Sequence, residues 1–198
     1  MPVTEDDVLA EFRAADALLE GHFILSSGKH SPAYLQCARV MMDPARGARL
    51  CGALAGRIGT RHGAGAFDLC VSPAMGGVIV GYEVARHLGL PSVFAERVEG
   101  AFVFRRGFDI APGTRCLMVE DVVTTGLSSR ECIAAIRDAG GDVVGGAALV
   151  DRSGGKADIG VPLTALVSLT IPVYAASEMP DSLAALPAVK PGSRGLGA

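Results

Sequence analysis

Between residues 68 and 150, short and mostly apolar runs alternate with segments whose apolar side chains recur every three or four positions. Asp68 to Ser72, Ser92 to Ala95, Cys116 to Val119 and Asp142 to Val150 have the character of buried strands. Val78, Ile79, Tyr82, Ala85 and Leu88 mark a helix that should stop at Gly89, with Pro91 beyond, and Ser128 to Ala139 mark another. Strand and helix in alternation admit few architectures. The expectation is an α/β fold, a doubly wound, mainly parallel sheet flanked by helices. In such sheets ligands lie beyond the carboxyl ends of the strands. The 198 residues suit one domain.

The flanks are less regular. Thr4 followed by Glu5, Asp6 and Asp7 reads as a capped helix start, and Val8, Leu9, Phe12, Ala15 and Leu19 keep helical spacing up to Gly21. Phe23-Ile24-Leu25 leads into the polar turn Ser26 to Pro32, and Tyr34 to Cys37 suits a strand. Asp43-Pro44 opens a helix through Leu50, Leu54 and Ile58. From Asp158 to Glu178 the nineteen intervening residues carry no charge, a length that could cross a bilayer. Pro162 and Pro172, with Thr164, Ser168, Thr170 and Ser177, favour two short strands instead, so no membrane contact is expected. From Val189 to Gly195 the chain reads as an irregular tail.

A net charge of -3 gives no basic footprint for general nucleic-acid binding, and 49% apolar residues exclude a charge-driven disordered chain. Only Lys29, Lys156 and Lys190 among the eighteen basic residues are lysines. Coding bias explains most of the arginines, yet their planar forks also suit anionic ligands. Five dispersed cysteines (Cys37, Cys51, Cys70, Cys116, Cys132) without a C-x-x-C pair suggest buried free thiols in a reducing cytoplasm. The start Met-Pro-Val-Thr-Glu-Asp-Asp lacks the features of a secretory signal.

The stretch Cys116 to Ser128 carries the chemistry. An apolar strand ends in Glu120 and Asp121, and a hydroxyl-rich turn with one glycine, Val122-Val123-Thr124-Thr125-Gly126, opens directly into a helix. Backbone N–H groups at a helix start suit a phosphate, and two carboxylates beside it call for sugar hydroxyls or a divalent cation between. The segment therefore points to a phosphorylated sugar; the competing reading is a capped helix with two solvated acids. No G-x-x-x-x-G-K-[ST], strand-to-helix G-x-G-x-x-G, G-x-S-x-G or H-E-x-x-H occurs, and His22, His30, His62 and His87 lack ligand spacing.

Glu120 to Ser128 resembles the phosphoribosyl-diphosphate (PRPP) signature of type I phosphoribosyltransferases. Gly21 to Pro32 is similar to the hood segment of the orotate-specific family, Ser72 to Gly77 to its pyrophosphate loop, and Val150 to Gly155 to its orotate-side arginine motif. The resemblance implies one domain over 1–198, with a core at about 41–160 and a hood from 1–40 and part of 160–198. It implies transfer of ribose 5-phosphate from PRPP to orotate, giving orotidine 5'-monophosphate and pyrophosphate in pyrimidine biosynthesis. Glu120 and Asp121 would hold the ribose hydroxyls, Thr124, Thr125, Gly126, Leu127 and Ser128 would cradle the 5-phosphate, and Val122 and Val123 would also contact PRPP. Ala74, Met75 and Gly76 would line the pyrophosphate, while Thr124, Arg152, Ser27, Lys29, Tyr34 and Leu35 would frame orotate. A salt bridge to Asp151 is the competing reading for Arg152.

Residues 96–107 correspond to the family's catalytic loop, so Arg97, Arg105 and Arg106 would join Asp121 as catalytic groups and reach the neighbouring site of a homodimer. Mg2+, held largely through PRPP, is the expected cofactor, with no protein ligand assigned. The chain departs from the family pattern in four places. The loop has arginines where many members have lysines and a histidine, Gly76 and Ser26 stand where others carry lysine, and Gly126 is followed by Leu127. Two rivals stay open: a transferase for another base, and a PRPP-sensing regulator, for which the roughly twenty residues before the hood leave little room for a winged helix.

Overall fold

The computed structural model describes residues 3–25 and 27–191. The chain runs through α1 (Glu5–Ala14), β1 (Leu18–Ile24), β2 (His30–Leu35), α2 (Cys37–Val40), α3 (Pro44–His62), β3 (Leu69–Pro73) and α4 (Gly76–Leu88). It continues through β4 (Ser92–Val98), β5 (Ala101–Val103), β6 (Arg115–Val123), α5 (Leu127–Asp138), β7 (Asp142–Asp151) and β8 (Leu163–Ser168). A 3-10 turn at Ala176–Glu178, α6 (Asp181–Ala184) and β9 (Ala188–Val189) complete it.

A six-stranded sheet in the order β5-β4-β3-β6-β7-β8 forms the centre, parallel except for the antiparallel edge strand β5. After β3 the chain steps outward to β4, then returns to the other side of β3 for β6. The strand order therefore reverses between β3 and β6, where doubly wound sheets open a ligand crevice. Alternation along β6 assigns the two faces. Leu117 and Val119 join the core under α1, α3 and α4, and Cys116 and Met118 join the core under α5. Phe12, Leu54 and Ile58 on one side and Ile133 and Ile136 on the other are fully buried, each contributing roughly 1.5–3 kcal/mol.

Local signals explain the element ends. Thr4 and Asp7 form a reciprocal capping box. Asp43 Oδ1 accepts from the N–H groups of Ala45 (2.9 Å) and Arg46 (3.3 Å), with Pro44 at the first position of α3. Gly89 closes α4 in the left-handed region.

The hood is a second sheet, β2-β1-β9, antiparallel between β1 and β2 and parallel between β1 and β9. A bulge at Gly21-His22 faces Pro32, which has no N–H for the ladder.

Four expectations change. α1 ends at Ala14 and Leu19 lies in β1, because the turn around Asp16 (φ 48°) breaks the helical spacing that Leu19 continued. β2 begins at His30, inside the stretch expected as a turn, and stops at Leu35, with Cys37 opening α2. The uncharged stretch holds one strand, β8, plus single bridges at Thr170 and Tyr174 rather than a second strand. β8 completes the core sheet at Ser168. Val189 belongs to β9, while residues 192–198 of the expected tail, and Ser26, lie outside the described residues. Among the described residues no helix is long and apolar enough to cross a membrane. All five cysteines are buried and free, and burial pushes the Cys51, Cys70 and Cys132 thiols up to about 12.

Candidate active site

The crevice at the reversal is bounded by the loop after β3 and the turn after β6. Val122 and Val123, expected in the turn, instead extend β6 by pairing with Val150 and Asp151, so Glu120 and Asp121 lie inside the strand and part company, because adjacent strand residues face opposite sides of the sheet. Glu120 turns under the first turn of α5, where its carboxylate accepts from the hydroxyl of buried Ser129. Asp121 turns toward α4. Its Oδ1 accepts from the Val122 N–H at 2.9 Å. A Cβ placed on Gly76 would stand 2.8 Å from Asp121 Oδ2, so the carboxylate lies in the space a side chain at 76 would need. That contact explains glycine at this position. Burial pushes both carboxyls above the usual range; the Ser129 hydrogen bond opposes this at Glu120, and the Val122 N–H at Asp121.

Gly126 (φ 74°) turns the chain from β6 into α5, and a Cβ there would meet Ile159, Arg130 and the Asp158 carbonyl. Thr124, Thr125 and Leu127 are exposed around that turn, Ser128 is partly exposed, and Thr125 Oγ1 accepts from the Leu127 N–H at 3.4 Å. Val122 is half-buried and Val123 is buried, so these two can offer only backbone. Ala74, Met75 and Gly76 form the facing loop, with Met75 85% exposed.

Arg152 leaves the end of β7 beside this turn, its N–H donating to the Val123 carbonyl at 2.8 Å. Its guanidinium is half-buried and donates through Nη2 to Ser31 Oγ at 3.2 Å. Among the described residues no carboxylate lies within ion-pair distance of it. The Asp151 alternative is excluded by Asp151's own bonds. Its oxygens accept from Ser153 N–H (2.8 Å), Ser153 Oγ (2.6 Å), Gly155 N–H (2.8 Å) and Ser168 Oγ (3.2 Å). Burial lowers the Arg152 pKa, the mark of a cation short of counter-charge. Tyr34 is half-buried nearby, Leu35 is buried in the core with only backbone to offer, and Ser27 and Lys29 are exposed at the hairpin tip.

The 96–107 segment is largely a hairpin. Glu96 pairs with Val103 and Val98 with Ala101 across a Glu99-Gly100 turn whose residues both have positive φ. Its arginines are engaged within the chain. Arg97 pairs with Glu131 of α5 and lies 4.2 Å above the Phe102 ring, Arg106 pairs with Glu96 at 2.7 Å, and Arg105 sits 3.9 Å from Glu96. No group of three or more His, Cys, Asp or Glu among the described residues could hold a metal ion.

Residues 43–170 match the family model described as the phosphoribosyl transferase domain. An orotate phosphoribosyltransferase of Caulobacter vibrioides is 62% identical over 98% of this chain and 99% of that one. The chain belongs to the orotate phosphoribosyltransferases. A family member from Sphingopyxis alaskensis is 60% identical over 99% of this chain and 100% of its own. The crystal structure of orotate phosphoribosyltransferase from Aeropyrum pernix superposes with a TM-score of 0.66 at 25% identity, covering 82% of this chain and 93% of that one.

The structure brings together Asp121, the turn, the 74–76 loop and Arg152, sets Glu120 on the opposite face of β6, and leaves Arg97 on Glu131 and Arg105 and Arg106 on Glu96. Sequence reasoning missed Ser31 and Ser129, whose hydroxyls hydrogen-bond Arg152 and Glu120. A serine directly before Pro32 in the hood and one three positions past Gly126 were the only signals.

Proposed function

We propose that this chain transfers ribose 5-phosphate from PRPP to a ring nitrogen of orotate, yielding orotidine 5'-monophosphate and pyrophosphate on the route to UMP. The single observation that carries the choice of base is Arg152, a half-buried guanidinium with no carboxylate partner among the described residues, beside the sugar-phosphate turn. Such a group calls for an anionic ligand of planar, bidentate shape, and orotate is an anionic pyrimidine.

The turn Thr124 to Ser128 offers N–H groups and hydroxyls to the 5-phosphate at the start of α5. Asp121, and Glu120 from the other side of β6, serve the ribose hydroxyls. As the anomeric bond breaks, positive charge grows on the sugar and negative charge on the pyrophosphate; buried carboxylates near the ribose stabilise the former. Ala74 to Gly76 present backbone to the pyrophosphate. Arg97, Arg105 and Arg106 can exchange their glutamate partners for its oxygens, in the same subunit or the neighbouring one. Tyr34, the Leu35 backbone and the Ser27–Lys29 tip close over the base, with Thr124 at its inner edge.

A hard cation would be held largely through PRPP oxygens, and Asp121, a carboxylate beside Gly76 in the loop after β3, would be the protein oxygen nearest to it. Mg2+ held there would neutralise charge on the leaving group. A homodimer is supported by exposed Met75 just before α4 and Ile79 and Tyr82 on it, next to a roughly 220 Å³ hollow lined by Val78, Ile79, Tyr82, Ser92, Val93 and Phe94. Five buried free thiols fit a cytoplasmic location.

The test is consumption of orotate with PRPP and Mg2+, with uracil, hypoxanthine and adenine in parallel. Turnover confined to orotate is the expected result. Turnover of another base, or PRPP binding without turnover of any, would overturn it.

A further inference from the structure

Ser31 opens the hood strand β2 beside His30, 121 residues before Arg152 in the chain, and is fully buried. Its hydroxyl has a complete set of partners. It donates to the Ala33 carbonyl at 2.8 Å, with the Pro172 carbonyl at 3.3 Å as the alternative acceptor. It accepts from the Ala33 N–H at 3.4 Å and from Arg152 Nη2 at 3.2 Å. A hydroxyl that gives its proton to a carbonyl is a polarised acceptor, and its lone pair is aimed by two backbone contacts rather than free to rotate. The guanidinium on the other end has five donors, and the Ser31 contact is its only hydrogen bond from a side-chain nitrogen to protein among the described residues. With no carboxylate to hold it, the arginine is oriented by this one serine.

We propose that Ser31 is the positioning residue that aims Arg152 into the base pocket, and through it sets the preference for an anionic pyrimidine over a neutral one. The proposal rests on the reading of Arg152 as the orotate ligand. Ser31 itself need not touch substrate. An arginine free to swing would still meet orotate, but with rotamer freedom to lose on each binding event and without a fixed fork for the anion. The cost should therefore fall on recognition of the charged base, leaving the sugar-phosphate side untouched.

The test is a double-mutant cycle of Ser31→Ala, Arg152→Ala and the pair, with KM for orotate, KM for PRPP and kcat measured separately. Uracil inhibition of orotate turnover reports on the neutral pyrimidine. Ser31→Ala should raise the orotate KM about tenfold, the scale of one hydrogen bond to a charged group. The PRPP KM and the uracil inhibition constant should stay near wild type, the melting temperature should fall because the Ala33 and Pro172 carbonyls lose a buried partner, and Ser31→Thr, which keeps the hydroxyl, should recover most of both losses. In the Arg152→Ala background the serine change should raise the orotate KM no further. If Ser31→Ala raises the orotate KM equally in both backgrounds, or weakens PRPP and uracil as much as orotate, the serine is merely structural and the proposal fails while Arg152 keeps its role. If Arg152→Ala leaves the orotate KM unchanged, the reading of the base pocket fails, and the positioning role with it.

Discussion

The β6–α5 turn and the hood pocket, the two places proposed to hold an anion, are built by opposite means. The turn is one contiguous stretch, Glu120 to Ser128, set at the end of a central strand whose register with β7 runs from Arg115 to Val123. The pocket is assembled from the β1–β2 hairpin, the loop after β7 and the chain near Pro172, segments far apart in sequence. A contiguous site inherits its geometry from the sheet. An assembled one depends on single contacts between segments, so it can be detuned without disturbing the first.

Breaking the contiguous side should cost most. Asp121→Asn should lower kcat by about 10²–10³-fold, comparable to losing a preorganised electrostatic group, with Tm at or above wild type at neutral pH. Burial holds the folded-state pKa of Asp121 above its unfolded value, so the ionised side chain costs stability above that pKa. The cost fades as pH falls through it, and the Tm gap between variant and wild type should narrow on acidification. A variant with wild-type kcat would remove Asp121 from the site. Next, Arg152→Ala should raise the orotate KM by roughly 10- to 100-fold with little change in PRPP KM, as for a charged hydrogen-bonding partner lost. Equal effects on both substrates would erase the distinction between the two regions.

Gly154→Ala sharpens it further. Gly154 has φ 66°, and a Cβ there would stand 2.2 Å from Thr170 Oγ1, forcing the loop that carries Arg152 away from the chain leading to the hood. Orotate KM should rise several-fold to about tenfold and Tm fall, by about 1–3 kcal/mol of stability, while phosphate-side binding holds. The smallest effect belongs to the hairpin. Glu131→Gln frees Arg97 from its ion pair, and the PRPP KM should fall or rise by no more than about threefold, since an exposed pair contributes ~1 kcal/mol or less. A change confined to orotate would show that the hairpin serves the base instead.

The same contrast governs what the sequence can disclose. The alternation of apolar runs was enough for the sheet and for the β6–α5 turn, because strand, acids, turn and helix are consecutive. Strand alternation also contains the divergence of Glu120 and Asp121, although adjacent acids invite reading as a pair. Leu19 misled because its spacing from Ala15 is helical while Asp16 turns the backbone first. The proposed base pocket rests on family resemblance, not on residue spacing. Nothing in the spacing of Ser31 and Arg152 announces a contact across 121 positions.

The hood's third strand has a temporal consequence. β9 adds to β1 at His22 and Phe23 only through Ala188 and Val189, and His22 Nδ1 meets the Leu186 carbonyl, 164 residues along the chain. During synthesis from the amino end, the β1–β2 hairpin emerges early, and the phosphate turn can fold with the sheet before the hood's last strand exists. A nascent chain can thus acquire the turn proposed to cradle the sugar phosphate while the proposed cover over the base waits for β9 to leave the ribosome.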